Sequence, residues 1–558
     1  MQSFWRKSWV SWAGAALSAG LLELPFPLAG PMPAWRAVFA WVGVVPLLLA
    51  VLSEGTVSGV RPVRKSFRLS YLCGFLWYVG NCYWIYATML LHGGLPPVVS
   101  ALLLIAYSLV LGTYFGLFGL AVALVRQRSG STRLALLAAP FFWPALELAA
   151  ARITSVPWDQ LGYSQVDNAL VNQLAPWTGV YGISFLLVAV NALIAGGMLL
   201  PCCTPGAQRE RRLWTLGGVA LLALGCLGLT VHPAAELPTA TAMLVQPNLD
   251  VAAENLWGGA EWDQHLAEFT RLAESTCTSS IAGIPQTGAA VVQTPCGKTV
   301  APPVLVVWPE APAPFIENES RFQLAMGKLA RQTGSALIIG GIGVSAPLPG
   351  DVYLRSYNSA MIFSPAGEEI GRQDKIHLVP FGEYIPFKNL LVFARKLTGR
   401  VAEFSRGDER KVFLIDGRRY GVFICYEAVF ADEVRHLAER GAEVLVNISD
   451  DGWYGDTSAP WQHLNMARMR AIENRRWILR DTNTGATAVI DPEGRVRQSI
   501  ARHAVDVLPA ACGFRGDITF YTAHGDVFAW LCALLSAGMA VWALRPRFLL
   551  ELRMRIRA

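Results

Sequence analysis

Gly421-Val422-Phe423-Ile424-Cys425-Tyr426-Glu427 is the stretch on which the reading of this chain turns. An apolar, strand-like run ends on a thiol, and a phenol and a carboxylate follow at once. Two other charged residues stand in similar settings. Glu310 closes Val306-Val307-Trp308-Pro309-Glu310, and Lys375 lies in Arg372-Gln373-Asp374-Lys375-Ile376-His377. A carboxylate, an ammonium and a thiol, each at a strand tip, can form one site that makes and breaks an acyl-thioester. Strand-end loops are where α/β enzymes place reacting groups. Each residue also has a plainer reading. Cysteine is among the most buried residue types, so Cys425 can be inert filler. Glu310 can end a strand or cap a helix, and Lys375 can pair with Asp374 on the surface.

Composition separates two regimes. The 558 residues are 53% hydrophobic and only 16% charged, against about a quarter charged in an ordinary soluble domain. The deficit is concentrated before about Val231; from about Ala235 to His524 the composition is globular. A spanning helix needs ~20 mostly apolar residues. Eight stretches qualify as candidates, roughly Trp9 to Leu24, Ala34 to Leu52, Leu69 to Leu91, Val98 to Val125, Leu134 to Ile153, Thr178 to Leu200, Leu213 to Val231 and Val527 to Leu544. The first follows Arg6 and Lys7 but lacks a polar cleavage region, so it reads as an uncleaved helix rather than a signal peptide. The expected organisation is a seven-helix membrane domain over 1–232, a globular domain over 233–525, and an eighth span with a basic tail over 526–558.

Charge sets the expected orientation. Basic clusters occur at Arg6-Lys7, Arg61 to Arg68, Arg126 to Arg133, Arg209 to Arg212 and Arg545 to Arg557. Each precedes span one or follows an even-numbered span. The positive-inside rule then puts both termini in the cytoplasm and the globular domain outside. The net charge of +6 is explained by these clusters and implies no nucleic acid. The ten cysteines form no single framework. Cys277 and Cys296 bracket a Ser/Thr/Gly/Pro-rich insertion and read either as a disulfide, which an outer location permits, or as two free thiols.

Beyond Pro233, short β-branched runs alternate with amphipathic helices. Strands are expected at Ala242 to Val245, Val304 to Val307, Ala336 to Gly340, Ser359 to Phe363, Tyr420 to Ile424, Val444 to Asn447 and Ala486 to Ile490. Helices are expected at Trp262 to Leu272, Arg321 to Gln332, Glu433 to Arg440 and Gln462 to Arg476. The turn Ser364-Pro365-Ala366-Gly367 predicts a hairpin. Such alternation argues for a layered α/β domain. His377, His463 and His503 lack metal-ligand spacing and read as surface or supporting residues. No glycine loop resembles a nucleotide cradle, so no cofactor is expected.

Taken together with their flanks, these strings resemble the nitrilase superfamily, and within it the membrane-bound apolipoprotein N-acyltransferases. The matching strings are Val307 to Glu310, Tyr357-Asn358-Ser359, Lys375 to Tyr384, Ile424 to Glu427, Asp451 to Gly455, and Gln462-His463 through Asn474. Pro157-Trp158 and Leu161 to Gln165 extend the likeness into the membrane half. The resemblance implies an αββα sandwich with Glu310, Lys375 and Cys425 as a triad. It implies supporting roles for Asn358, Glu383, Tyr426 and Glu427, and substrate contacts for Trp158, Trp257, Trp453 and Tyr454, with Trp262 the rival to Trp257. The implied reaction moves an acyl chain from a phospholipid to the α-amino group of a diacylated apolipoprotein. It runs through a Cys425 thioester, in a bilayer, in a monomer held in the inner membrane with the catalytic domain in the periplasm. A membrane-tethered amidase or other hydrolase, with water as acceptor, is the alternative. Glu147 and Arg152, near the fifth span, either bind a lipid headgroup or pair with each other. Trp158, Tyr163 and Trp177 suit an outer interface, near substrate or as ordinary aromatic anchors.

Overall fold

Side-chain alternation in the strands sets the layering of the C-terminal half. In β1 (Ala240–Gln246), Ala242 and Leu244 face one way and Met243 and Val245 the other, and all four are buried. The same split recurs in β2 (Leu305–Trp308) and β3 (Ala336–Ser345). Strands buried on both faces need cover on both sides. One side is covered by helices Ala260–Glu274 and Ser320–Thr333, through Trp262, Phe269, Phe322, Met326 and Leu329. The other side is covered by a second sheet.

That second sheet repeats the plan. Its strands are β6 (Val412–Ile415), β7 (Arg418–Ile424), β8 (Val444–Ser449), β9 (Trp477–Thr482), β10 (Ala488–Ile490) and β11 (Val496–Ser499), and it runs β11-β10-β9-β8-β7-β6. The first sheet also contains β4 (Arg355–Phe363), β5 (Glu369–Asp374) and β12 (Asp506–Cys512), in the order β12-β1-β2-β3-β4-β5. β1, β2 and β3 are mutually parallel, as are β7, β8 and β9; the flanking strands are antiparallel. Helices Ala431–Glu439 and Ala459–Asn474 cover the outer face of the second sheet through Val434, Leu437, Leu464, Ala467 and Ala471. The result is the expected αββα sandwich. The expected turn closes β4 onto β5, with Gly367 N–H donating to the Ser364 carbonyl at 2.8 Å.

These statements rest on a computed structural model that describes residues 8–53, 60–200, 205–232, 236–250, 260–274, 303–310, 315–347, 354–384 and 403–545. Trp257, the Cys277 and Cys296 bracket, Cys202-Cys203, Arg6-Lys7 and all but the first residue of the basic tail lie outside them.

The N-terminal half is helical. Ala34–Leu52, Pro97–Ser129, Thr132–Thr154, Val180–Leu199 and Val527–Leu544 are each long and apolar enough to cross a membrane. The other three expected spans are also helical but differ in form. The first is represented by the helix Ser8–Glu23. The third divides into Val60–Asn81 and Trp84–Leu91, and the seventh lies in Pro205–Gly228, which contains the basic cluster Arg209 to Arg212. The second span is broken between a 3-10 stretch, Ala34–Trp41, and the helix Val45–Leu52. Asn191 repairs the break. Its Oδ1 accepts from the N–H groups of Val44 and Val45 at 2.8 and 3.0 Å, and its Nδ2 donates to the Ala40 carbonyl at 3.0 Å. Buried backbone groups with no water must find such partners.

Candidate active site

β7 delivers the thiol. Cys425 follows Ile424 at its C-terminal end and starts a 3-10 turn, Cys425–Val429, with φ +49°. A non-glycine residue in the left-handed region marks a backbone held by its surroundings. Glu427 supplies much of that hold. Its two carboxylate oxygens accept from Ile424 N–H at 2.6 Å, Ile376 N–H at 2.6 Å and His377 N–H at 3.2 Å. The turn that carries Cys425 is thereby tied to the loop that carries Lys375.

Glu310, at the end of β2, and Lys375, just past β5, meet beside Cys425. Lys375 Nζ donates to Glu310 Oε1 at 2.8 Å and to Glu383 Oε1 at 2.9 Å. Asn358 on β4 donates to the same two oxygens at 2.7 and 2.6 Å. Glu310 Oε2 accepts the Asp450 N–H at 2.9 Å. Glu383 Oε2 accepts Val379 N–H at 2.8 Å, which fixes its own loop. Lys375 is 1% exposed, so it does not sit on the surface with Asp374. Asp374 is held instead by Ser359 and Arg372.

The charges have a definite resting state. Burial alone would raise the Glu310 carboxyl, but the Lys375 charge and hydrogen bonds from Lys375, Cys425 and Asn358 bring it below its ordinary value. Burial would likewise lower Lys375, but Glu310 and Glu383 hold its ammonium well above the ordinary range. Burial pushes the Cys425 thiol up, and the Glu310 charge adds to that, against the pull of Lys375. At neutral pH the site therefore holds a carboxylate, an ammonium and a neutral thiol. This is the starting point for a base-assisted attack by sulfur.

The membrane half closes one side. Tyr426 Oη donates to the Ser155 carbonyl at 3.2 Å, and Trp158 Nε1 donates to Gln462 Oε1 at 2.9 Å. The Trp158 ring stacks at 6.5 Å on Tyr426 and 6.0 Å on His463, and meets Tyr454 edge-on at 6.0 Å. Trp158 also lines a cavity between helices, walled mainly by the aromatic residues Trp77, Tyr78, Phe115, Phe118 and Trp143, with Glu147 and Asp159 among its polar lining. A site with one wall of charged strand-end loops and another of membrane-half aromatics suits a substrate whose reacting end is polar and whose tail is apolar.

Both halves also match known families. A profile described as "Apolipoprotein N-acyltransferase N-terminal domain" matches residues 18–193, and one described as "Carbon-nitrogen hydrolase" matches 302–512. The apolipoprotein N-acyltransferase of Geobacter metallireducens is 34% identical over 544 residues, covering 96% of this chain and 95% of that one. Those of Allorhizobium ampelinum and Pseudomonas putida are each 31% identical, covering 96% of this chain and 96% and 97% of theirs. The chain belongs to the apolipoprotein N-acyltransferase family. The solved Saccharomyces cerevisiae Nit3, a nitrilase-superfamily member, aligns at 20% identity over 49% of this chain and 91% of that one, with a TM-score of 0.31, a score that decides nothing.

The other residues singled out from the sequence fall into groups. Asn358, Glu383, Tyr426 and Glu427 touch the triad or its backbone, as described. Trp158 and Tyr454 are buried beside it, whereas Trp453 is half exposed and meets His92 edge-on at 5.7 Å. Trp257 lies outside the described residues. Its rival Trp262 is buried in the outer helical layer, edge-on to Phe315, with the Arg321 guanidinium 4.2 Å from its ring centre. Trp177 is exposed and stacks on Phe520 at 6.1 Å. Glu147 and Arg152 do not pair. Glu147 accepts from Trp143 Nε1 and Leu161 N–H, and Arg152 pairs with Asp432 and Asp526 at 3.1 and 2.6 Å.

Sequence reasoning passed over Asp450 and Arg480, gave Asp451 only a place in a string, and gave His463 only a surface or supporting role. Asp450 donates its N–H to Glu310, and its carboxyl is pushed up to about 8 by burial and by the Glu310 charge. His463 is fully buried, with Nε2 3.0 Å from the Cys425 carbonyl oxygen and Nδ1 3.0 Å from Asp451. The signal was present in the strings Asp450-Asp451 and Gln462-His463, but no spacing rule links either to Cys425. His377 pairs with Glu433 at 2.9 Å and the exposed His503 with Asp456 at 2.7 Å.

Proposed function

We propose that the protein transfers a fatty acyl chain from a phospholipid to the α-amino group of a diacylated apolipoprotein's N-terminal cysteine, through a thioester on Cys425. The convergence of Glu310, Lys375 and Cys425 beside an apolar membrane-half wall carries this reading. Family membership supports the reaction class.

An ester is a poor direct acyl donor to an amine, and a thiolate divides the transfer into two easier steps. Glu310 accepts the Cys425 proton as sulfur attacks the ester carbonyl. The tetrahedral oxyanion forms next to the Lys375 ammonium and the Tyr426 N–H. As the intermediate collapses, the lysophospholipid oxygen leaves with the proton from Glu310. In the second half the lipoprotein amine attacks the thioester, Glu310 takes the proton that nitrogen sheds, and the departing Cys425 thiolate receives it. Two preorganised donors at a water-poor oxyanion supply much of the catalysis. Glu383 and Asn358 hold Lys375 and Glu310 in place. Trp158 and Tyr454 line the apolar approach, and Trp257 and Trp453 are assigned to substrate contacts outside the triad.

Both substrates are lipids, and extracting an acyl chain costs about 0.8 kcal/mol per CH₂. The site therefore belongs at a bilayer surface. We place it on the periplasmic side of the inner membrane, with both termini cytoplasmic and residues 1–232, 233–525 and 526–558 as its parts. The phase of the basic clusters supports that orientation. The working unit is taken as a monomer.

The test is intact-protein mass spectrometry after incubation with phospholipid alone. One acyl mass on Cys425, labile to hydroxylamine and discharged by a diacylated lipopeptide, is the expected result. Cys425→Ala forms no adduct. Rapid release of free fatty acid with no lipopeptide product would establish the hydrolase instead, and an adduct elsewhere would remove Cys425 as nucleophile.

A further inference from the structure

His463 has no part in the chemistry above, yet its ring touches the peptide unit that the chemistry needs. Its Nε2 lies 3.0 Å from the carbonyl oxygen of Cys425. A carbonyl only accepts, so Nε2 carries the proton. The other face of the ring is anchored. Nδ1 lies 3.0 Å from Asp451 Oδ1 and 3.1 Å from Arg480 Nη2, and Arg480 donates to Asp451 Oδ2 at 2.6 Å. Ser449 Oγ donates to Asp451 Oδ1 at 3.0 Å. His463, Asp451 and Arg480 are all 0% exposed. Nε2 keeps its proton whether Nδ1 accepts from Arg480 or, in the imidazolium, donates to Asp451.

The carbonyl that His463 holds belongs to the same planar peptide as the Tyr426 N–H. In a trans peptide the C=O and N–H point in opposite directions. Gripping one therefore aims the other. Tyr426 is the second residue of the 3-10 turn Cys425–Val429, where N–H groups lack intrahelical acceptors. A donor on the carbonyl also polarises the amide, which strengthens its N–H as a donor in turn. The grip matters here because Cys425 sits at φ +49°, a conformation its neighbours must impose.

We propose that His463 is a positioning residue for the oxyanion: by donating to the Cys425 carbonyl it orients and strengthens the Tyr426 N–H that receives the negative charge. This rests on the acyl-transfer reading of the site. It assigns His463 to neither proton transfer nor substrate binding.

Two reactions of Cys425 separate this role from a structural one. Acyl transfer builds an oxyanion; alkylation of the thiol by iodoacetamide does not. The full-length protein in detergent micelles is compared with His463→Phe, His463→Asn and His463→Gln. Phe keeps a ring without a donor. Asn keeps a polar group toward Asp451 but is too short to reach the carbonyl. Gln places an N–H near the Nε2 position. We expect Phe and Asn to slow formation of the Cys425 acyl adduct by about 10- to 100-fold, at or below the loss seen when an oxyanion donor is deleted outright. The phospholipid KM and the iodoacetamide rate should stay unchanged, and Gln should recover most of the acylation rate. If Phe does not fold, Asn alone carries the comparison with Gln. Wild-type acylation in the donor-free variants, a parallel fall in alkylation, or a Gln variant no better than Asn overturns the proposal. An unsubstituted protein that forms no adduct on Cys425 would instead overturn the acyl-transfer reading, and this inference with it.

Discussion

Cys425, Glu310 and Lys375 show how far single residues carry the argument. Their candidacy was legible from residue type and from their positions at strand tips. Their contact was not, because 65 positions separate Glu310 from Lys375 and only the 2.8 Å bond reveals the pair. If Glu310 serves both half-reactions, Glu310→Gln should slow adduct formation and adduct discharge alike, each by about 10²- to 10⁴-fold, as measured by single-turnover mass spectrometry. Asp450 supports a prediction about pH. Its carboxyl is raised from 3.8 to about 8, first by burial and then by Glu310. Between those values the folded protein keeps a proton that the unfolded chain has lost, so stability falls as pH rises. Asp450→Asn removes that titration, while its amide oxygen can still accept from Gly452 N–H. Its melting temperature should decline less than the parent's from pH 4 toward pH 8. An identical decline in both would mean that Asp450 does not titrate in this window.

At the scale of elements, most strands with β-branched apolar runs were legible, and a strand interrupted by proline was not. β7 and β8 were expected from Tyr420 to Ile424 and Val444 to Asn447, within one or two residues of their ends. β12, Asp506–Cys512, was not read as a strand, although it pairs antiparallel with β1 along seven residues. Its sequence includes Pro509, which lowers local strand propensity. Tertiary pairing overrides that. The four helices emerged close to the expected ranges because 3.6-residue periodicity survives without knowledge of the partner. Phe322 on Ser320–Thr333 is fully buried between the helix and the first sheet, stacked on Phe315 at 5.3 Å. Phe322→Ala should destabilise the folded protein by about 3–5 kcal/mol. Thermal unfolding of the purified protein in detergent would show it, and an unchanged midpoint would mean that the outer layer does not hold the sheet.

For the whole molecule, the decisive feature is the seam between the two halves. Gln462 illustrates it. Its Oε1 accepts from Trp158, and its Nε2 donates to the Asn81 carbonyl and Oδ1 at 3.0 Å and to the Pro27 carbonyl at 3.3 Å. One catalytic-domain side chain thus ties together three segments of the helical half. Nearby, Val180 N–H donates to Glu473 at 3.1 Å, Arg470 donates to Tyr163 at 2.9 Å, and Arg152 bridges Asp432 and Asp526. A catalytic domain docked in this way must lie on one fixed side of the bilayer. Reporter fusions at Ser320, the start of an outer-layer helix, should be active only as extracytoplasmic reporters. A cytoplasmic signal there would reverse the orientation and remove the lipoprotein substrate.

The sequence by itself determined the division into helical and α/β halves, the layered class of the second, the family, and the residue types gathered around Cys425. These follow from local quantities: apolar length, periodicity and short strings. Tertiary structure alone decided which groups meet. It placed Lys375 between two carboxylates rather than beside Asp374, sent Trp262 into the outer layer, and kept Glu147 from Arg152. It also brought His463 to the Cys425 carbonyl. The physical reason is that a buried charge or donor is tolerated only where distant segments supply its partners. Which segments are near is a property of the packed sheets and helices, and no local pattern records it.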